Sequence, residues 1–313
     1  MEKQLTQPHI PVMKREAVSL LDINPKGIYL DCTVGFAGHS EEIIKNLGDK
    51  GKLIGIDYDP YALEYSNQRL SKSGKNFELF HENYFYFPKI LDNLKIKSVD
   101  GILFDLGISS YQVDSGYRGF SYNIDAPLDM RFDDNYESAR DFINHSSEES
   151  ISNIIKEYGE EKFHRKIAKS IVEERKVKAI ETTHDLKNII IKTIYGDKKN
   201  KTLSRVFQAI RIHVNNELEN LLMCIIKAVE ILSPGGRLAI ITFHSLEDRL
   251  VKNTFKAYSN SDPSILNEIG LKIKKSELKN CTSITKKPIS PSLEEIQKNK
   301  RARSAKLRVL GKV

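Results

Sequence analysis

Two glycines and one acidic residue near the start of the sequence are spaced for binding a nucleotide-like ligand. Gly35 and Gly38 follow one short apolar run, and Asp57 ends the next, about 20 positions after Gly35. Glycine lets the backbone approach a ligand, a helix N-terminus offers free N–H groups, and the acid can accept hydrogen bonds from ribose hydroxyls. The alternative is an ordinary strand-turn-helix with an exposed acid, because short motifs produce false matches.

The spacing of the glycines does not fit a dinucleotide. A dinucleotide requires G-x-G-x-x-G, whereas Phe36 and Ala37 separate the two glycines here and Glu41 stands where the third glycine would be. S-adenosylmethionine has an adenosine and a methionine tail but no pyrophosphate, so it suits a looser turn followed by an acid. The turn therefore favours S-adenosylmethionine as cofactor, with a nicotinamide-dependent oxidoreductase as the rival.

More polar residues follow later apolar runs. Asn83 and Tyr84 come after a third run, Asp105 ends a fourth, and the cluster from His244 to Arg249 follows a fifth. In an open parallel sheet the carboxyl ends of the strands face the ligand crevice, so we expect these residues to face it. A single histidine after a strand is usually structural, and Asp105 has the alternative of capping the turn that follows it.

A parallel sheet must bring these residues together, and the apolar runs predict its strands. We predict strands that begin at Ile28, Lys52, Phe77, Val99 and Arg237. Helical spacing predicts intervening helices over residues 13–21 and 41–47, and Asp59 followed by Pro60 predicts the start of another. The predicted fold class is therefore α/β.

Helical patterns interrupt this order after a long polar loop that ends near residue 134. Ser146 with Glu149 and Thr182 with Asp185 have capping-box spacing. We therefore predict an inserted helical subdomain over residues 135–200, within a discontinuous domain made of 1–134 and 201–313. The apolar spacing at 205–232 indicates one long helix or a helix pair, and the turn at 233–236 leads back into the sheet.

Composition limits the class of protein. The chain has 313 residues, is 40% hydrophobic and carries a formal net charge of +7. It contains no apolar run of about 18 residues, so no membrane span is expected. Three cysteines without a C-x-x-C pair favour a reduced, cytoplasmic setting, and the positive charge is a modest bias toward a polyanionic partner.

The C-terminal tail from Lys298 is basic. It is either a solvated end or, because Leu307 and Val309 alternate with charged residues, an edge strand with outward cations. Either form can meet phosphate.

Motifs along nearly the whole chain, in the same order, resemble the bacterial 16S rRNA cytosine-N4-methyltransferase family (RsmH, also called MraW). The matching stretches are His9–Val12, Gly27–Asp31, Gly38–Ser40, Asp100–Ser110, Arg118–Ser121, Pro127–Arg131, Tyr158–Glu161, Phe207–Ile212, Phe243–Arg249 and Arg301–Ala305. The resemblance implies a class I, Rossmann-like methyltransferase domain with a helical insertion. Because the insertion follows the crevice acid Asp105, we expect it to serve RNA placement. The resemblance also implies S-adenosylmethionine as cofactor and no metal site.

The resemblance assigns roles to single residues. It implies a cofactor site made of Ala37, Gly38, His39, Asp57, Tyr84, Asp105 and Gln112. Candidate RNA contacts are Arg118, Arg131, Arg205, His244, Arg301 and Arg303. The family usually has Gly at position 37 and Phe at position 84, and of its His-Pro-Ala-Thr-Arg motif only Arg205 is present here.

The implied acceptor is the N4 amine of a cytosine in the decoding region (P site) of 16S rRNA, within the small ribosomal subunit. This amine is a poor nucleophile, so an enzyme must align it with the donor methyl and hydrogen-bond an N4 proton. Asp105 is the candidate catalytic residue. The alternative is that it binds the cofactor.

Methylation at carbon 5 would instead need a thiolate at the crevice, and Cys32, Cys224 and Cys281 all read as core or incidental residues. A non-catalytic RNA-binding protein is the second rival, and a homodimer is one alternative for the oligomeric state.

Overall fold

The chain divides into two compact units in a computed structural model that describes residues 10–107, 118–194, 199–267, 271 and 273–313. The first unit combines Met1–Gly107 with Asn220–Val313, and the second is Ile108–Glu219. Among the described residues, no helix has the length and apolar character that crossing a membrane requires. Gln112, a predicted cofactor residue, lies outside the described residues.

The first unit is built on a seven-stranded sheet in the order β3-β2-β1-β4-β5-β7-β6. The strands are β1 Ile28–Asp31, β2 Lys52–Asp57, β3 Phe77–His81, β4 Val99–Asp105, β5 Leu232–Thr242, β6 Cys281–Ser283 and β7 Lys306–Lys312. The first five pair in parallel, whereas β7 runs antiparallel to both β5 and β6. The predicted α/β class, with a mostly parallel sheet, is confirmed.

Helices cover both faces of this sheet. They are α1 Lys14–Leu21, α2 Gly38–Asn46, α3 Pro60–Ser71, α4 Phe87–Asn93, α10 Glu217–Ile231, α11 Ser245–Asn260, α12 Ser264–Asn267 and α13 Leu293–Lys298. One apolar cluster includes side chains of α1 and α2, and another includes side chains of α4, α10 and α11. Strands buried on both faces explain why the sequence shows continuous apolar runs rather than alternation.

Two predictions about the late strands need correction. The predicted turn at 233–236 is part of β5, which begins at Leu232; its register against β4 shifts here, and Gly235 has a φ of 80°. The tail strand β7 is not an edge strand, because it lies between β5 and β6. Its Arg308 is buried rather than outward, since it pairs with the carboxylate of Asp248.

The second unit is a helical cluster with its own core. Its helices are α5 Ala139–His145, α6 Glu148–Gly159, α7 His164–Val177, α8 Thr183–Thr193 and α9 Lys199–Val214. The predicted capping box of Thr182 and Asp185 is present at the start of α8. The other predicted box is wrong: Ser147, not Ser146, caps α6, and Ser146 ends α5.

This unit extends beyond the predicted range 135–200 on both sides. Leu128 and Met130 before that range, and Phe207 and Ile210 of α9 after it, pack into the same apolar cluster as Ile155 of α6. Of the two alternatives predicted for 205–232, the helix pair is confirmed, because the chain turns between α9 and α10 at Asn216, whose φ is 48°. Sequence periodicity marks each helix but does not show which core it joins.

Candidate functional site

The turn between β1 and α2 has the shape expected of a ligand-binding turn. Gly35 and Ala37 have left-handed backbone conformations, with φ of 50° and 60°. A Cβ at Gly35 would meet no atom within 4 Å, so the space beside this residue is open. A Cβ at Gly38 would lie 2.7 Å from the ring of Pro11, so this glycine is needed for packing.

Ala37 occupies a position that favours glycine. Its side chain is completely buried among residues of α1 and α2, so the methyl group belongs to the core. The left-handed conformation costs a non-glycine residue roughly 1–2 kcal/mol.

Asp57, at the end of β2, is held against this turn. Its Oδ2 accepts a hydrogen bond from the Gly35 N–H at 2.7 Å, and its Oδ1 accepts one from the Asp59 N–H at 2.9 Å. Each carboxylate oxygen keeps a second acceptor position, which suits a pair of ribose hydroxyls. Burial raises the pKa of Asp57 to about 6 despite these two bonds.

A second carboxylate, Asp31, ends β1 and is fully buried. It accepts hydrogen bonds from the Ser40 hydroxyl at 2.6 Å and from the Thr33 N–H at 3.1 Å. The Thr33 hydroxyl in turn accepts a bond from the Asp105 N–H at 2.7 Å, which ties the ends of β1 and β4 together. Burial raises the pKa of Asp31 to about 6.

The side chains of His39, in α2, and Asp105, at the end of β4, lie close to each other. The Nε2 of His39 lies 2.9 Å from the Val12 carbonyl oxygen, and its Nδ1 lies 3.6 Å from Oδ2 of Asp105. Burial lowers the pKa of His39 to about 4, so the ring is neutral at pH 7. Because a carbonyl only accepts, Nε2 carries the ring proton and Nδ1 presents its lone pair to Asp105.

Asp105 has an unused polar atom. Its Oδ1 is buried and makes no hydrogen bond with the part of the chain that the structure describes. Burial raises the pKa of Asp105 well above its usual range, and the carboxylates of Asp31, Glu247 and Glu295 raise it further. A buried acceptor without a partner costs about 1–3 kcal/mol, so Oδ1 is a position where a ligand N–H would be stabilised.

Tyr84 begins a short 3-10 helix after β3 that Asn83 caps through a bond from the Phe85 N–H at 3.0 Å. Its ring lies edge-on to that of Phe104, with centroids 5.7 Å apart. Since Phe104 precedes Asp105 in β4, Tyr84 stands at the same end of the sheet. Apart from Gln112, the predicted cofactor residues therefore lie along one edge, at the carboxyl ends of β1 to β4.

The candidate RNA-binding arginines of the second unit are engaged within that unit. Arg118 and Arg131 both pair with Asp134, at 3.2 and 3.7 Å, and Arg131 also pairs with Asp129 at 2.6 Å. Arg205 lies 3.5 Å from the buried carboxylate of Glu161. These contacts give all three residues structural roles, and their contact with RNA stays a prediction.

Of the other three candidate RNA contacts, His244 has a structural role, and Arg301 and Arg303 are exposed. His244 caps α11 in a capping box with Glu247, whose N–H donates to Nδ1 at 3.4 Å. Its Nε2 lies 3.1 Å from a Glu247 carboxylate oxygen without forming a hydrogen bond to it. Arg301 and Arg303 are exposed on a 3-10 turn, Lys300–Ser304, where they are accessible to a polyanion.

Sequence reasoning missed Asp31, Ser40 and Thr33 as parts of the site, whereas Glu247 belongs to the cluster that was expected at the crevice. Asp31 carried a signal, since it ends the first apolar run as Asp57 and Asp105 end theirs. Ser40 carried none, because only folding brings its hydroxyl to Asp31.

Known proteins resemble this chain over nearly its whole length. The chain is 49% identical over 320 residues to the "Ribosomal RNA small subunit methyltransferase H" of Fusobacterium nucleatum, with coverage of 100% of this chain and 99% of the relative. Its identity to the protein of the same name from Clostridioides difficile is 47%, with coverage of 97% and 99%. The MraW methylase family matches residues 6–313. The match runs through nearly the whole sequence, and the chain belongs to the MraW methylase family.

Proposed function

We propose that this protein transfers the methyl group of S-adenosylmethionine to the N4 amine of a cytosine in the decoding region of 16S rRNA. Family membership makes the chain a methyltransferase with S-adenosylmethionine as its cofactor and ribosomal RNA as its substrate. The observation that carries the choice of an amine is the buried Oδ1 of Asp105 at the carboxyl end of β4, which has no hydrogen-bond partner among the described residues.

The residues at the strand ends fit S-adenosylmethionine. Gly35 leaves open space at the turn, and Asp57 keeps acceptor positions for the two ribose hydroxyls. Tyr84 provides an aromatic ring for the adenine. The cofactor supplies an electrophilic methyl group on a sulfonium, so the chain itself need only bind and align the two reactants.

Asp105 has two possible N–H partners, the amino group of the methionine tail and the N4 amine of cytosine. A hydrogen bond to the N4 amine would stabilise the positive charge that develops on nitrogen as the methyl group arrives. Replacing Asp105 with Asn separates the two roles. A lower kcat with unchanged cofactor affinity assigns it to the cytosine, and a matching loss of affinity assigns it to the cofactor.

The burial of the three cysteines argues against methylation at carbon 5 of the cytosine ring. All three are buried, and burial raises the pKa of Cys32 well above its usual range, that of Cys224 to about 12 and that of Cys281 to about 11. Cys32 directly follows β1 rather than lying inside it, but its side chain is in the apolar core. Thiolate addition to a base requires an ionised, accessible sulfur.

The test uses small ribosomal subunits from a strain that lacks the gene, incubated with the protein and isotopically labelled S-adenosylmethionine. Mass spectrometry of the nucleosides should detect labelled N4-methylcytidine. Labelled 5-methylcytidine, or no transfer to either subunits or free 16S rRNA, would contradict the proposal. Comparing subunits with free 16S rRNA tests the ribosomal context, and sedimentation of the purified protein tests whether it is a monomer or a homodimer.

A further inference from the structure

The turn that connects α6 to α7 contains one aromatic residue, Phe163, whose backbone is held by neighbouring residues. Gly159 ends α6 against α9: a Cβ there would lie 2.9 Å from the Arg205 carbonyl oxygen. Glu160 then takes a left-handed conformation, with φ of 49°, which turns the chain toward Phe163. These residues belong to the stretch Tyr158–Glu161, to which the proposed methyl transfer assigns no role.

Glu161 fixes the backbone of Phe163. Its carboxylate is almost fully buried, and Oε1 accepts a hydrogen bond from the Phe163 N–H at 3.1 Å. The other oxygen, Oε2, lies 3.5 Å from Nη1 of Arg205 on α9. A buried carboxylate is costly unless its oxygens are satisfied, so this arrangement depends on both partners.

The side chain of Phe163 nevertheless faces solvent. It is 47% exposed, and Val177 is the only other large hydrophobic residue exposed in the described part of the second unit. Val177 is the last residue of α7, and helices commonly fray at their ends. The backbone of Phe163, in contrast, is held by the hydrogen bond from its N–H to Glu161. An exposed aromatic ring whose backbone is held in place by a hydrogen bond is suited to stacking on a base.

Several exposed cationic residues lie close to Phe163 in the sequence. Lys162, Arg165, Lys166 and Lys169 are all exposed, and no acidic residue occurs from 162 to 172. Lys169 pairs with Glu173 at 3.8 Å, while the exposed acids Glu157 and Glu160 precede the turn. The first turn of α7 contains no acid, although acids are stabilising at that end of a helix and cations are not. Stabilisation of α7 therefore does not explain why these cationic residues occur near its N-terminus.

We propose that Phe163 stacks on an unpaired base of the rRNA substrate while Lys162 and Arg165 contact the adjacent phosphates. Glu161 and Arg205 are positioning residues that hold this surface in place. Stacking on an aromatic ring beside cations is how proteins bind single-stranded nucleic acid with little dependence on sequence. The inference rests on the proposed function for the identity of the RNA, and it assigns the surface to unpaired rRNA rather than to a protein partner.

The kinetic test replaces Phe163 with Ala and compares it with Val177→Ala, a matched loss of an exposed side chain from the other end of α7. Phe163→Ala should raise KM for small subunits roughly tenfold with little change in kcat, as expected for loss of one base–aromatic stack. Cofactor affinity should stay at the wild-type value in both variants. A KM for Phe163→Ala equal to that of Val177→Ala would overturn the inference.

A binding test is independent of methyl transfer. The chain contains no tryptophan, so Phe163→Trp and Val177→Trp each introduce a single tryptophan, whose emission can be excited selectively. Titration with unmodified 16S rRNA transcript should quench the tryptophan at position 163 and leave the one at position 177 nearly unchanged. Equal quenching at both positions, or none at 163, would contradict stacking.

The phosphate contacts have their own measurement. Replacing both Lys162 and Arg165 with Ala should reduce the slope of log affinity against log salt by about 1.4, since each contact to a single strand contributes about 0.7. An unchanged slope would remove these two cations from the surface. If the wild-type protein transfers no methyl group but position 163 is still quenched, the proposed function fails and the RNA-binding surface stands.

Discussion

At the scale of single residues, Asp57 has the clearest expected effect on cofactor binding. Its two oxygens are oriented by the N–H groups of Gly35 and Asp59 and keep acceptor positions toward the open turn. Asp57→Ala should weaken S-adenosylmethionine binding by about 1.5–3 kcal/mol, the usual loss for hydrogen bonds to a charged group. Calorimetry measures the affinity, and circular dichroism confirms the fold. An unchanged affinity in a folded variant would rule out this role.

Gly35 should matter for the ligand more than for the fold. Its φ of 50° costs an alanine roughly 1–2 kcal/mol, and the new methyl group would enter the open space at the turn. Gly74 is a matched control, because it has φ of 63° and equally open surroundings but lies in the loop after α3. Thermal unfolding should show similar losses for Gly35→Ala and Gly74→Ala, whereas only Gly35→Ala should lower cofactor affinity, by at least tenfold. Equal affinities would contradict this.

The buried carboxylate of Asp57 predicts opposite pH effects on stability and on binding. Its pKa of about 6 lies above the ordinary value of 3.8, so the stability that its protonated form contributes is lost as pH rises from about 4 to 6. Cofactor affinity should instead rise from about pH 5 to 7, as Asp57 of the folded protein ionises, because the ionised form accepts from the ribose. His39 acts in the opposite direction on stability, because burial lowers its pKa from 6.5 to about 4 and the unfolded chain therefore binds a proton between these pH values that the native ring does not. The comparison of Asp57 variants cancels this contribution.

Asp57→Asn provides the comparison for this pH effect. The difference in unfolding free energy between wild type and variant should shift in favour of Asn as pH rises from 4 to 7, and the affinity of the variant should lose the rise that Asp57 provides. Urea unfolding and calorimetry across this range measure both. A constant difference between the two proteins would show that Asp57 does not titrate near pH 6.

At the scale of elements, the strand β7 depends on a buried ion pair with α11. Arg308 donates to Asp248 through Nε at 2.7 Å and through Nη2 at 3.2 Å, and Lys306 adds a contact at 3.1 Å. Burial opposes ionisation of Asp248, but the hydrogen bonds from Arg308 and Lys306 hold its pKa below the usual value. The pair fastens the tail strand to the first unit.

Asp248→Ala should therefore destabilise the protein by about 3–5 kcal/mol, because it leaves the Arg308 charge buried without its partner. Replacing both residues with Leu should cost much less, since no unpaired charge remains. Urea unfolding gives both values. A single-variant cost below that of the double variant would mean that the pair does not fasten β7.

At the scale of the whole molecule, the second unit is proposed to place RNA and the first to bind the cofactor. The described part of the second unit has its own apolar core, built from α5 to α9 and from Leu128 and Met130. Replacing residues 118–214 with a flexible Gly/Ser linker removes that core and leaves the strand ends of the first unit intact. The replaced protein should keep its affinity for S-adenosylmethionine and lose methylation of small subunits. Retained methylation would refute this division of labour.

The sequence by itself determined the positions of β1 to β4 and of α1 to α3 in the first unit. Apolar runs predict strands at the observed positions because both faces of a parallel sheet are buried, and the acids Asp57 and Asp105 mark the strand ends. Local capping also reads directly from sequence at Asp59 and Thr182, whose side chains accept bonds from backbone N–H groups two and three residues away. These features depend on neighbours in the chain.

Only the tertiary structure decided features that join distant residues. The capping of α6 by Ser147 rather than Ser146 depends on where α5 ends, and the burial of Arg308 depends on Asp248, 60 residues earlier. The raised pKa of Asp105 comes from its burial and from carboxylates on other elements. Spacing in the sequence carries no measure of burial or of charge across the fold, so the ionisation of the site follows from packing alone.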